Sequence, residues 1–127
     1  MSSLVGIGID LVDVDRLAEA MRRRPGLAAR VFTDRERAST GTERRVAERL
    51  AARFAAKEAT MKALGVGLGA FALREVEVVA AAGGAPELVL SGRALALAER
   101  RGAGRLHVSL SHTSGSATAV VVAESRQ

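Results

Sequence analysis

The sequence predicts an α+β domain, on three observations. One long run, residues 43 to about 64, carries helical periodicity. Residues 4–12, 106–111 and 117–123 alternate with the period of a strand. Strands and helices mingle without strict alternation, and 127 residues with no repeat, low-complexity tract or linker suit one domain, 1–127.

Residues 4–12 read as the first strand. Val5, Ile7, Ile9 and Leu11 alternate onto one face, and Gly6, Gly8 and Asp10 onto the other. Glycines weaken a strand interior, so they need a reason, and here they clear room for another backbone or a ligand beside Asp10. Asp13 or Asp15 can cap the next helix, which runs to about Arg24 and is ended by Pro25-Gly26. Thr33-Asp34-Arg35-Glu36 has the form of a capping box before a short helix. Residues 39–42 read as a loop, with Thr42 capping the long helix. On a wheel at roughly 100° per residue, Leu50, Phe54 and Met61 fall within about 40° as a buried stripe. Ala47, Ala51, Ala55 and Ala59 form an adjacent seam of small residues, and Glu58 and Lys62 project along it. Gly65, Gly67 and Gly69 break the pattern. Residues 72–80 and 87–90 read as strands around the turn Gly83-Gly84-Ala85-Pro86. Ser91 can cap a helix reaching about Arg101. Residues 106–111 and 117–123 pair as a hairpin through a polar tip.

Composition narrows the function classes. Hydrophobic residues make up 48% of the chain, but there are only three Phe and no Trp or Tyr, so the core is built from Ala, Val, Leu and Ile. The absence of cysteine removes disulfides, thiolate chemistry and Cys-type zinc sites. A net charge of +5 points to an acidic partner. The scarcity of rings argues against single-stranded nucleic acid, which needs them for stacking. No basic amphipathic helix with bulky anchors suggests membrane binding, and no stretch is apolar enough to span a bilayer. The N-terminal apolar run is interrupted by Asp10, Asp13 and Asp15 and has no basic leader, which predicts a cytoplasmic location.

The chemistry concentrates in three segments. Asp10 on the glycine face of the first strand and Glu58 on the small-residue seam of the long helix both look built for close approach. Two carboxylates from different elements can bind Mg²⁺, with water and phosphate oxygens completing its octahedron. Lys62 offers a point charge for phosphate, and the loop from Gly65 to Gly69 offers backbone N–H groups. The ordinary alternatives are a surface Glu58–Lys62 ion pair and a helix-capping glycine. In the closing segment, His107, Ser109 and Ser111 share a strand face opposite Leu106, Val108 and Leu110, with His112 and Thr113 following. These side chains can bind phosphate or ribose, or simply satisfy hairpin backbone groups. No Gly-x-Ser-x-Gly is present for a serine hydrolase.

Together these segments resemble the holo-acyl-carrier-protein synthase family, the small type of 4′-phosphopantetheinyl transferase. The resemblance runs from Gly6-Ile7-Gly8-Ile9-Asp10-Leu11-Val12 with Arg16, through Val31-Phe32-Thr33 with Glu36, to Arg53-Phe54-Ala55-Ala56-Lys57-Glu58-Ala59 with Lys62-Ala63-Leu64-Gly65. It continues over Gly84-Ala85-Pro86 and Leu90-Ser91-Gly92 to His107-Val108-Ser109-Leu110-Ser111-His112-Thr113. It implies the 4′-phosphopantetheinyl transferase fold, a long helix packed on a mainly antiparallel sheet. The implied reaction moves the phosphopantetheine arm of coenzyme A onto a serine of apo acyl carrier protein, in support of fatty acid and, by extension, polyketide synthesis. Asp10 and Glu58 match the family's Mg²⁺ ligands, and Lys62 would stabilise pyrophosphate charge. Gly65, Gly84 and Pro86 match the coenzyme A site, Gly84 and Pro86 near the nucleotide. Ser109, His112 and Thr113 match its phosphate and ribose end. Arg16, Met21, Arg22, Arg23 and Arg24 match the surface that docks the carrier protein. A homotrimer with active sites between subunits is also implied. Two rival readings are a metal-dependent phosphotransferase acting on another nucleotide, and a non-catalytic nucleic-acid-binding module.

Overall fold

The computed structural model describes residues 3–126. Strand β1 (Leu4–Asp13) is followed by three helices, α1 (Val14–Arg23), α2 (Leu27–Val31) and α3 (Asp34–Arg37), and then by the long helix α4 (Glu43–Ala63). A 3-10 turn (Leu73–Glu75) leads into β2 (Val76–Ala80) and β3 (Pro86–Leu90). Helix α5 (Gly92–Arg100) and the hairpin β4 (Arg105–His112) and β5 (Ser116–Glu124) complete the chain. Two antiparallel ladders result, a three-stranded sheet in the order β1-β5-β4 and a separate β2-β3 pair.

Local signals account for most boundaries. The Asp13 carboxylate accepts the Arg16 N–H at 3.0 Å and starts α1. Thr33 and Glu36 form the reciprocal capping box of α3, and the Thr42 hydroxyl accepts the Arg45 N–H to start α4. Helix α5 departs from expectation. Ser91 sits at its N-cap without a side-chain bond, and the Arg93 N–H is taken by Glu75 Oε2 at 2.9 Å instead. The segment expected as one strand from Ala72 opens with the 3-10 turn, so β2 starts only at Val76.

Helix α4 crosses the inner face of the three-stranded sheet, and its alanine seam makes the contact. Ala51, Ala55 and Ala59 are fully buried, whereas Phe54, expected in the main stripe, is half-buried. The approach is closest at β1. A Cβ on Gly8 would lie 1.8 Å from the Ala59 carbonyl oxygen, and one on Gly6 would lie 1.9 Å from that of Ala63. Backbone thus meets backbone, and only glycine fits on the strand. The opposite face of β1 is open: Ile7, Ile9 and Leu11 are 57%, 62% and 71% exposed.

Gly8→Ala is expected to destabilise the protein by about 3 kcal/mol, the upper range for overpacking a rigid contact. Chemical denaturation checks this, and a change under about 0.5 kcal/mol, the level of a neutral surface site, would contradict the close approach.

Candidate active site

The approach of β1 to α4 brings the two carboxylates together. Asp10 follows Gly8 on the same strand face, and Glu58 precedes Ala59 on the helix, so the residues that make the backbone contact are neighbours of the residues that carry charge. Lys62, one turn beyond Glu58, donates from Nζ to Asp10 Oδ1 at 3.0 Å and to the Ile9 carbonyl at 2.9 Å. The lysine therefore pairs across to the strand rather than along its own helix. Burial pushes the Glu58 carboxyl up to about 7, and the adjacent Asp10 carboxyl adds to the shift by hydrogen bond and charge, while Lys62 opposes it.

This arrangement fits a hard divalent cation. Two oxygen donors come from separate elements, and an ammonium already stands on one of them. Among the described residues no group of three or more His, Cys, Asp or Glu stands close enough to hold a metal ion, and a cation on the two carboxylates would need its further ligands from substrate and water.

A second feature lies elsewhere on α4. A groove of ≈ 330 Å³ runs between α4, β2 and β4. Gly84, Pro86, Ser109 and His112, four of the residues expected at a coenzyme A site, line it together. Gly65 and Thr113 have local roles. Gly65, at φ +75°, closes α4 by donating its N–H to the Lys62 carbonyl. The Thr113 hydroxyl accepts N–H bonds from Gly115 and Ser116 in the hairpin tip.

Sequence reasoning did not name Arg49 and gave Arg53 no role beyond its place in the resembling segment; the two form the basic wall of the groove. Arg53 Nε is buried without a hydrogen-bond partner, and burial lowers its guanidinium pKa. An orphaned buried donor beside an open groove suits an anionic ligand. The available signal was two arginines at i and i+4, a like-charge spacing that is weakly unfavourable on a helix.

Helix α1 carries the basic patch. Arg22 and Arg23 pair with Glu19 at 2.6 and 3.0 Å. Arg16, Arg23 and Arg24 line a shallow surface groove, and half-buried Met21 lines an adjoining apolar slot with Ala18, Val46 and Leu50. No helix among the described residues is long and apolar enough to cross a membrane.

Comparison with known proteins identifies the family. Residues 6–121 match the 4′-phosphopantetheinyl transferase superfamily. A holo-[acyl-carrier-protein] synthase of Frankia alni is 50% identical over 123 residues, covering 97% of this chain and 99% of the relative. The crystal structure of the Neisseria meningitidis holo-[acyl-carrier-protein] synthase superposes with a TM-score of 0.85 at 32% identity, covering 95% of this chain and 98% of that one. The Bacillus anthracis holo-(acyl-carrier-protein) synthase, solved in complex with CoA (3′,5′-ADP), superposes with a TM-score of 0.78 at 34% identity, covering 97% and 98%. The chain thus belongs to the 4′-phosphopantetheinyl transferase superfamily.

Proposed function

We propose that this protein is a Mg²⁺-dependent holo-acyl-carrier-protein synthase, a single domain that moves the 4′-phosphopantetheine arm of coenzyme A onto a serine hydroxyl of apo acyl carrier protein. The observation that carries the proposal is the meeting of Asp10 and Glu58 beside Lys62, in a chain similar to a relative solved with CoA. The serine Oγ attacks the β-phosphorus of the pyrophosphate, the bond from that phosphorus to the bridging oxygen breaks, and adenosine 3′,5′-bisphosphate leaves. Glu58, directly or through a water, is the assigned acceptor of the serine proton. Lys62 is assigned to the pyrophosphate charge once substrate draws it from Asp10. Mg²⁺ held by Asp10 and Glu58 would supply charge neutralisation on the pyrophosphate. The groove would hold the nucleotide end of coenzyme A, with Arg49 and Arg53 facing its phosphates and Pro86 against the nucleotide. Ser109 and His112 are assigned to its phosphate and ribose end, with Gly65 and Thr113 as neighbouring backbone contacts.

Two features support a homotrimer with shared active sites. Glu58 and Arg53 are five residues apart on α4, about 140° around the helix, so the carboxylate pair and the groove face different directions within one chain. A groove from one subunit facing the carboxylates of another resolves that separation. The exposed Ile7, Ile9 and Leu11 share their sheet face with Val122, Val120 and Thr118, their register partners on β5, and a neighbouring subunit would cover them. On and just beyond α1, Arg16, Arg22, Arg23 and Arg24, with the Met21 slot beside them, suit the acidic surface of a carrier protein, in keeping with the net charge of +5. We place the protein in the cytoplasm, where apo carrier proteins and coenzyme A are available.

Incubating apo acyl carrier protein with this protein, coenzyme A and Mg²⁺ is expected to add the mass of one phosphopantetheine, and EDTA to abolish the gain. No gain with several different carriers would contradict the proposal. A nucleotide phosphotransferase of another kind would release no adenosine 3′,5′-bisphosphate in step with carrier, and a nucleic-acid module would show salt-sensitive binding indifferent to coenzyme A.

Asp10→Ala and Glu58→Ala are each expected to lower turnover by more than about a hundredfold with cooperative melting retained. Parental activity in both would sink the metal assignment. Ile9→Glu is expected to give a monomer by light scattering, with activity lost.

The Glu58 shift has a sign that calorimetry can read. Its carboxyl is raised in the folded state above the ordinary 4.5, so the folded protein holds this proton more tightly than the unfolded chain. The resulting stabilisation is full below about pH 4.5 and is lost as pH rises through about 7. Mg²⁺ needs the carboxylate, so binding expels the proton: about half a proton at pH 7, and close to none above about pH 8.5. Titrations in buffers of different ionisation enthalpy check this, and equal heats in all buffers at pH 7 would contradict it.

A further inference from the structure

Lys57 and Glu36 form a fully buried ion pair that the proposed chemistry does not use. Lys57 precedes Glu58 but points away from β1. Its Nζ donates to Glu36 Oε1 at 2.8 Å, to the Val76 carbonyl at 2.5 Å and to the Leu73 carbonyl at 3.2 Å. Three acceptors use all three protons of an ammonium, which also lies 5.5 Å from the centre of the buried Phe32 ring. Burial pushes the Lys57 pKa down, and the Glu36 carboxylate opposes that. Glu36 Oε1 accepts the Thr33 N–H at 3.0 Å, and Oε2 accepts the Val78 N–H at 3.0 Å. The Thr33 hydroxyl adds a further tie to β2 by donating to Glu77 Oε2 at 2.5 Å.

A buried ion pair is weak evidence for stability, since an apolar pair of similar size often serves as well. Its placement is more informative. The β2-β3 ladder is separate from the three-stranded sheet, so no continuous backbone ladder fixes it over α4. Yet β2 supplies one wall of the groove through Val78, Val79 and Ala80, and α4 supplies the other through Arg49, Ala52 and Arg53. Lys57 on α4 holds the carbonyl of Val76, and Glu36 holds the N–H of Val78, two residues along the same strand.

We propose that Glu36 and Lys57 are positioning residues for coenzyme A: the buried pair sets the spacing between the two walls of the groove, and through it the affinity for the nucleotide end, without touching the ligand. The proposal rests on the coenzyme A reading of the groove.

The test compares the parent with the double variant Glu36→Met, Lys57→Met, which removes both charges and leaves neither buried alone. Coenzyme A affinity is read by calorimetry, KM and kcat by steady-state kinetics, and folding by thermal melting. For the double variant, Kd and KM for coenzyme A are expected to rise about tenfold, with kcat at saturation within about threefold and KM for carrier protein unchanged. Cooperative melting with parental coenzyme A affinity overturns the proposal, as does a fall in kcat with KM unchanged. If the double variant does not melt cooperatively, Glu36→Gln decides. The amide keeps one acceptor oxygen and loses the one needed to hold both Lys57 and the Val78 N–H, and about a threefold rise in KM for coenzyme A with kcat unchanged is expected. An unchanged KM overturns the proposal. A parent protein that fails to bind coenzyme A at all overturns the functional reading itself, which separates the two failures.

Discussion

Everything chemical in this molecule depends on one backbone contact, that between β1 and α4. Gly6 and Gly8 let the strand approach the carbonyls of Ala59 and Ala63 to a distance no side chain would permit. Asp10 and Glu58 flank that contact, so the spacing between their carboxylates follows from main-chain packing rather than from flexible side-chain reach. Sites built on rigid elements hold their geometry better than sites on loops. The same closeness desolvates Glu58 and sets it against a like charge, which raises its pKa.

Helix α4 then serves several faces at once. Its alanine seam covers the sheet, Glu58 and Lys62 meet β1, Lys57 anchors β2, and Arg49 and Arg53 line the groove. A helix of 21 residues with so many duties has little room for a broad apolar stripe. The core accordingly relies on small residues and on the separate contributions of Phe32, Leu64, Val76 and Val121, all at most 2% exposed. The open apolar face of β1 and the division of polar groups around α4 are the two features the proposed homotrimer would use.

Much of this was legible in the sequence where the signals are local. The alternation of glycine with Val5, Ile7 and Ile9 and the i, i+4 alanines are periodic patterns, and together they located the carboxylate pair. The capping residues Asp13, Thr33 and Thr42 fixed three helix starts by short-range hydrogen bonds. What was not legible depends on partners distant in the chain. Helix α2 is five residues long, begins at a glycine and has no side-chain cap, so it leaves no local signature. The N–H of Arg93 finds its acceptor in Glu75 rather than in the adjacent Ser91. The isolation of Arg53 Nε becomes visible only once β2 and β4 close the groove over it. The pairing of Lys57 with Glu36, 21 residues earlier, likewise leaves no local signature.

The central claim is that the β1–α4 contact creates a cation site from Asp10 and Glu58. The most direct measurement is anomalous diffraction from crystals soaked in Mn²⁺, which accepts the same oxygen ligands as Mg²⁺. A single strong peak between the carboxylates of Asp10 and Glu58, with Lys62 displaced from Asp10, is the expected result. No peak there in crystals soaked with both Mn²⁺ and coenzyme A, or a peak bound by other residues, would contradict the account.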